Sequence, residues 1–236
     1  MSKSPPMTYL RNTLVPWPNP TSKGRLALSD PKMQRIAVYD SALMVLVLIR
    51  RGTREEAAQV VEGLYAVQKP DGSLPFSFVL PAPDDQIPYV RAGAVAWVGY
   101  AATEFLDAER GGPSRDHALA LARNAAKYLL AHQLNQPGDP RDGLVRGGEG
   151  SYRYELDARG QIQERLFAED VMWTAMEHNV DSYFFFRALA RVTEDARYAE
   201  AATRIARGLA RAWNGARGQL ARGATAEGHD NVLTLD

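Results

Sequence analysis

The sequence predicts an all-α protein built as a two-layer array of helical hairpins. Three times, a segment that is apolar on every side is followed by a segment with a single apolar stripe. This alternation is typical of inner helices covered by outer helices. A similar turn follows each amphipathic segment and contains Gly72, Gly143 or Gly218. A repeat of two helices and a loop at this spacing indicates a helical-hairpin array.

Residues 1–30 contain several prolines and no hydrophobic periodicity. They are predicted to form an extended lead-in ahead of a single domain over residues 31–236. Asp30-Pro31 combines a helix cap with a proline at the first helical position, so the first inner helix is expected to start there. That helix is expected to end near Arg50, before the glycine at position 52.

The remaining helices follow from the same two patterns. Inner helices are expected over residues 87–107 and 169–192, and outer helices are expected to begin at Thr53, Ser114 and Asp195. The long connections, residues 69–86, 134–168 and 214 onward, are expected at one end of the array, where functional residues usually lie. The middle connection is predicted to carry a small β-hairpin over residues 152–166.

Composition excludes several classes of function. The chain has 236 residues with 28 basic and 28 acidic side chains, a balance that argues against nucleic acid or an anionic membrane as the main partner. It has no cysteine, and its four histidines lack ligand spacing, so neither a metal nor another cofactor is predicted. The apolar run from Ala42 to Ile49 is too short to cross a membrane. Without a leader pattern at the N-terminus, a cytoplasmic location is expected.

Several segments together resemble the six-hairpin glycosidase superfamily, the (α/α)6 toroids. They are Tyr39-Asp40 with the following Ser-Ala-Leu, the turn at Asp71-Gly72-Ser73, Val90 to Trp97, Gly143 to Gly148, and above all Glu177-His-Asn-Val-Asp181. The resemblance covers about residues 31–236 and implies an incomplete toroid, because only about three of the six hairpins are present. It also implies a carbohydrate-active protein that binds an oligo- or polysaccharide.

The resemblance places the site at the long-loop end of the inner helices, and cleavage of a glycosidic bond there needs two carboxyl groups. Glu177 is the candidate proton donor, with its pKa raised by burial near Trp173 and by the charge of Asp181. The second catalytic carboxylate is Asp40, Asp181 or one of the loop residues at 84 and 85. A glycoside hydrolase is thus the first hypothesis.

The candidate substrate-binding residues each have a structural alternative. Arg91 could hold a substrate carboxylate or hydroxyls, or it could neutralise Glu177, as Arg146 could. His178 could be a base or a satisfied core histidine. The remaining candidates are an amide that could hold a loop carbonyl and three aromatic rings that could stack on sugars or pack in the core: Asn179, Trp173, Tyr89 and Tyr152.

Two other functions stay open from the sequence. One is a sugar epimerase of the same fold, with His178 as the base. The other is a non-catalytic sugar-binding or scaffold protein, or a half-toroid that works only with a partner. Because an open half-toroid exposes apolar inner helices, either a second copy of the chain or a partner chain is expected to cover them.

Overall fold

The computed structural model describes residues 5–18, 21–80 and 89–230. In this part of the chain, seven helices are accompanied by twelve strands in four sheets. The all-α prediction was therefore wrong, although the three predicted pairs of helices are present. The helices are α1 (Pro5–Asn12), α2 (Val38–Arg50), α3 (Arg54–Val67), α4 (Ala92–Ala108), α5 (Pro113–Ala131), α6 (Met176–Thr193) and α7 (Ala196–Arg211).

Most of the strands are only two or three residues long and belong to the loops. The sheets have the orders β1-β2-β3-β4, β5-β6-β7, β12-β11-β8 and β10-β9. The strands are β1 (Leu14–Pro16), β2 (Arg25–Asp30), β3 (Arg35–Ala37), β4 (Ser77–Val79), β5 (Val90–Arg91), β6 (Gly148–Leu156), β7 (Ile162–Val171), β8 (Thr174–Ala175), β9 (Trp213–Asn214), β10 (Gln219–Leu220), β11 (Gly223–Thr225) and β12 (Gly228–Asp230). Strands β6 and β7 form the predicted hairpin and extend beyond both of its predicted ends.

Helices α2, α4 and α6 form the inner layer, and α4 packs between the other two. Each inner helix is followed in the chain by the outer helix that packs on it, α3, α5 or α7. Glycines on α4 allow a close approach of α6: a Cβ at Gly93 would lie 2.4 Å from the His178 ring, and one at Gly99 would lie 2.4 Å from the Phe185 ring. Both contacts advance in the same chain direction, so α4 and α6 run parallel.

A short strand precedes each inner helix, and it pairs with a strand in the loop that follows the outer helix of the same hairpin. The residues at the N-caps, Ala37, Arg91 and Ala175, provide no side-chain cap. Instead, a carbonyl from that loop accepts the first helical N–H. The three bonds run from Val38 to Phe76 (3.2 Å), from Ala92 to Gly147 (3.0 Å) and from Met176 to Arg222 (3.0 Å).

These strands explain why the predicted starts of the inner helices were wrong. The first inner helix begins at Val38 rather than at Pro31, and the third begins at Met176 rather than at Glu169. The predicted start of the second, at residue 87, lies outside the described residues, and its helix begins at Ala92. These boundaries depend on strand pairing with residues that are distant in the sequence. Local helix propensity does not predict such pairing.

The first two predicted glycine turns are held by the same pattern of hydrogen bonds. Gln68 Nε2 donates to the carbonyl of Gly72 (3.2 Å) and to Leu121 O on the next outer helix (3.1 Å). In the second repeat, a glutamine follows the outer helix in the same way: Gln133 Nε2 donates to Gly143 O (2.9 Å) and to Ala201 O (3.0 Å). These bonds attach the first and the second long loop to the hairpin that follows each of them.

The predicted lead-in is not extended throughout. Residues 5–12 form helix α1, and strands β1 and β2 follow it. Met7, Leu14 and Leu26 are buried in the same apolar cluster as the inner helices. The division into a lead-in and a domain over residues 31–236 stays a prediction.

A mostly apolar surface lies between α6, the second half of α7 and the residues that follow α7. It holds a cavity of about 490 Å³ lined by Tyr183, Ala206, Leu209, Ala210, Trp213 and Leu220. Trp213, which lines this cavity, is more than half exposed. We still predict that a second copy of the chain or a partner chain covers this surface. A measurement of the mass in solution would test that prediction. None of the helices in the described ranges combines the length and the apolar character that crossing a membrane requires.

Candidate active site

A cavity of about 900 Å³ lies at the N-terminal end of α6. One wall comes from Trp173 through His178, with Val180 and Asp181 from the second turn of the helix, and the other comes from the loop over residues 220–230. The cavity therefore lies at the end of the array that carries the long loops, where the sequence predicts the site. The ion pair between Arg222 and Asp230 (2.5 Å) lies in this wall and was not predicted, because only the folded loop brings it to the cavity.

Asp181 is the half-buried carboxyl group of the cavity. Burial raises its pKa to about 6, and the charge of Glu177 acts in the same direction. The indole N–H of Trp97, on α4, donates a hydrogen bond to Asp181 and opposes this rise. At a pH near 6, Asp181 is thus able both to give and to accept a proton.

Glu177 lies one turn earlier on the same helix, and its side chain is 83% exposed. The predicted burial near Trp173 was therefore wrong, and the more buried of the two acids is Asp181, one turn later on the helix. In the described part of the chain, the Nε2 atom of His178 lies 3.7 Å from the Oε1 atom of Glu177. Neither Arg91 nor Arg146 forms an ion pair with it there, and Arg146 instead pairs with Asp170 (2.6 Å).

Tyr39, the second residue of α2, lies within the electrostatic reach of the three predicted acids. Its pKa is raised first by burial and then by the charges of Asp181, Asp40 and Glu177. Tyr39 also packs edge-on against Trp97, with ring centroids 5.4 Å apart. The charges of carboxyl groups on two inner helices thus act on one phenol. The predicted residues in the loop at positions 84 and 85 lie outside the described residues.

His178 is buried between α6 and α4. Its ring packs on Gly93, and its pKa is lowered by burial, with a smaller contribution from the charge of Arg91 and opposition from Glu177. Because of this lowered pKa, the imidazole is neutral at pH 7. Within the described residues, no hydrogen-bond partner reaches its Nδ1.

The described hydrogen bonds of the Arg91 side chain go to backbone carbonyl groups and not to a carboxylate. Its Nη1 donates to the carbonyls of Val90 (3.0 Å), Glu149 (3.2 Å) and Gly150 (2.9 Å). The guanidinium carbon lies 4.3 Å from the Tyr89 ring centroid, and burial lowers the pKa of the group. Arg91 therefore fixes the start of strand β6 beside the site.

The three predicted aromatic residues occupy different places. Trp173 lines the large cavity with a ring that is 42% exposed. Tyr89 stacks on Phe76, with centroids 5.0 Å apart, and lines a separate cavity of about 200 Å³. Tyr152 lies in strand β6, but its side chain is outside the described part of the chain.

Asn179 is fully buried, and its amide is occupied by backbone groups. Its Oδ1 accepts from Val145 N (2.7 Å), and its Nδ2 donates to Val145 O (3.1 Å) and Ala175 O (2.9 Å). This amide ties the second long loop to α6. We therefore leave it out of the proposed substrate contacts.

Replacement of Asn179 with alanine is expected to lower the free energy of unfolding by about 3 kcal/mol, because buried backbone groups at Val145 and Ala175 would lose their partners. The exposed Asn135 provides a matched control, and Asn135→Ala should cost less than about 0.5 kcal/mol. Urea unfolding of the two variants measures both values. Equal losses would contradict this role of the amide.

No cluster of three or more His, Cys, Asp or Glu side chains suited to a metal ion occurs among the residues that the structure covers. The groups described at the cavity and beside it include carboxyl groups, one neutral imidazole and aromatic rings. Glycoside cleavage by paired carboxyl groups needs no more than this.

Comparison with known proteins extends the description of the fold. No model of a protein family matches the sequence, and no curated protein matches it. Solved structures do match, and the chain spans about half the length of the matched structures described below. A D-mannose isomerase matches with a TM-score of 0.60, 12% identity and coverage of 86% of this chain and 48% of its own.

Two further matches come from named organisms. One is described as a possible member of the GH105 family from Salmonella enterica, with a TM-score of 0.61, 16% identity and coverage of 89% of this chain and 53% of its own. The other is a GH76 alpha-mannanase from Bacteroides thetaiotaomicron, with a TM-score of 0.59, 10% identity and coverage of 94% and 56%. At such identities the likeness concerns the fold alone. The resemblance is confirmed at that level: the chain has the fold of the six-hairpin glycosidases, represented by three of their hairpins.

Proposed function

We propose that the protein acts on glycans and hydrolyses a glycosidic bond in an oligo- or polysaccharide. The observation that carries the proposal is a protonatable Asp181, with a pKa of about 6, facing a large cavity beside the exposed carboxylate of Glu177. Two carboxyl groups in unlike environments are the arrangement that glycoside hydrolysis uses. The reactions named for the structural matches, which include a mannanase, give the proposal its substrate class.

In the proposed reaction, protonated Asp181 gives its proton to the oxygen of the leaving sugar. Glu177 lies four residues earlier on the same helical face, so the Cβ atoms of the pair are about 5–6 Å apart. Its ionised carboxylate, or that of Asp40, stabilises the developing positive charge on the sugar ring or activates the attacking water. The exposed face of Trp173 provides a surface on which a sugar can stack.

One observation favours a second candidate, the epimerase. A neutral, buried histidine whose Nδ1 lacks a described partner is suited to accept a proton from a sugar carbon. The two reactions differ in a measurable way. An epimerase incorporates solvent deuterium into a monosaccharide, whereas a hydrolase releases new reducing ends and leaves the carbon-bound hydrogens in place.

The test compares Glu177→Gln with the wild-type chain on a panel of neutral oligosaccharides, measuring the release of reducing ends. We expect turnover to fall at least 100-fold, with an almost unchanged melting temperature because the Glu177 side chain is exposed. Glu200→Gln, on the exposed face of α7, is the matched control and should leave turnover unchanged. Full activity of Glu177→Gln would remove Glu177 from the mechanism, and a wild-type chain inactive on every glycan would favour the scaffold hypothesis.

A further inference from the structure

The proposed substrate site is electrostatically negative. Glu177, Asp181 and Asp230 line the cavity, whereas the basic side chain among its described lining residues is Arg222. Arg222 is itself paired with Asp230 at 2.5 Å, so each neutralises the other. The lining therefore carries two net negative charges when Asp181 is ionised and one when it is protonated.

Neighbouring groups do not reverse this balance. Asp40 adds a further carboxylate, whose charge reaches Tyr39 together with those of Glu177 and Asp181. His178 contributes no positive charge at pH 7, because burial lowers its pKa. Arg91 adds one positive charge, 5.9 Å from the Trp173 ring centroid, which the charge of Asp40 offsets. Its Nη1 is bound to three backbone carbonyls, and its guanidinium carbon lies over the Tyr89 ring.

A carboxylate or sulfate on a bound sugar would thus be placed among like charges. At separations of about 6 Å in a partly solvated site, one such pair costs on the order of a factor of 10 in affinity. A uronate-binding site would instead require an arginine that is directed at the ligand and not already paired. An ammonium group, by contrast, would gain from the same carboxylates.

We infer that the site selects glycans whose bound sugars are uncharged or carry an amine, and that it rejects uronic acids and sulfated sugars. This inference rests on the proposed function, because it names the substrate class of the same cavity. The selection depends on the charge of the bound sugar, whichever carboxyl group donates the proton.

Pairs of probes that share one sugar backbone and differ in charge test the inference. Tetragalacturonate and its methyl ester share one sugar, and a chitosan tetramer differs from its N-acetylated form in the charge of the amines. Calorimetric titration of the wild-type chain at pH 7 and low salt should give an affinity at least 10-fold weaker for the free uronate than for its ester. The free amine should bind at least as tightly as its acetylated form.

Two further measurements attribute the difference to the carboxylates. In Glu177→Gln, the gap between uronate and ester should shrink several-fold, whereas in Glu200→Gln it should be unchanged. In 0.5 M salt the gap should also shrink in the wild-type chain, because the charges are screened within a few ångströms. A gap that responds to neither change would overturn the electrostatic explanation.

The outcomes separate this inference from the proposed function. If the free uronate binds as tightly as its ester or more tightly, the inference is overturned while a glycan site remains. Neutral tetramers of xylose, mannose and glucose are titrated alongside. Absence of binding to every neutral, basic and acidic glycan would overturn the proposed function, and this inference with it.

Discussion

Replacing Gly72 with alanine is expected to destabilise the protein by about 3–5 kcal/mol or to prevent folding. A Cβ at Gly72 would lie 1.9 Å from the backbone oxygen of Asn124 on α5, and a helical carbonyl cannot turn aside as a flexible side chain can. The φ of +93° adds strain, because residues with a Cβ rarely adopt it. The loop would have to detach from the next hairpin, which would also break the bonds of Gln68.

The chain contains its own control for this experiment. Gly218 occupies the corresponding turn of the third repeat, and its φ is +65°, yet nothing described lies within 4 Å of a Cβ built there. Gly218→Ala should therefore cost only the strain, about 1–2 kcal/mol. Denaturant midpoints of the two variants measure the difference. If both variants lose the same stability, backbone strain alone explains the glycines, and the close contact with α5 is unimportant.

The repeat of Gly72 and Gly143 was visible in the sequence, and so were the three pairs of helices. Both depend on local signals, because turns need particular residues and helix faces follow a period of 3.6. The short strands were not visible. Thr174-Ala175 becomes a strand only because Gly223-Ala224, almost fifty residues later, folds back to pair with it. The sequence before Met176 has no glycine or proline to mark that change, so the helix was predicted to start too early.

The candidate site was also predicted only in part. The sequence places Glu177 and Asp181 on one helical face, and their convergence with Asp40 is consistent with the charges around Tyr39. It does not indicate which of the two acids is buried. That depends on α4, where Trp97 contacts Asp181, and on the open cavity in front of Glu177. Burial of a particular carboxyl group is a tertiary property, and helical periodicity cannot provide it.

Exchange of the proposed proton donor is expected to have opposite effects on activity and on stability. Asp181→Asn keeps the shape of the side chain and an oxygen that can accept the Trp97 hydrogen bond, but it cannot deliver a proton. Turnover should fall about 10²- to 10⁴-fold, the usual contribution of a general acid. Lost activity together with gained stability is typical of a residue that is needed for function but lowers the stability of the fold.

The stability effect depends on pH in a defined direction. The pKa of Asp181 rises from its ordinary value of 3.8 to about 6 on folding, so the folded chain holds this proton more tightly than the unfolded chain does. Stability from this group therefore falls as the pH rises from about 4 to about 6, and the ionised carboxylate stays unfavourable above that range. Because Asp181 is partly exposed, solvent screening reduces the effect to about 1–2 kcal/mol.

Asp181→Asn should consequently unfold at a higher denaturant concentration than the wild-type chain at pH 8, and the two midpoints should coincide near pH 4. Glu200→Gln, with an exposed carboxylate, should follow the wild-type chain at both pH values. The same variant preparations report on catalysis through the release of reducing ends. A midpoint for Asp181→Asn below that of the wild-type chain at pH 8 would mean that the ionised carboxylate stabilises the fold. Asp181 would then be a structural hydrogen-bond acceptor for Trp97, and the proton donor would have to be sought in Asp40 or Glu177.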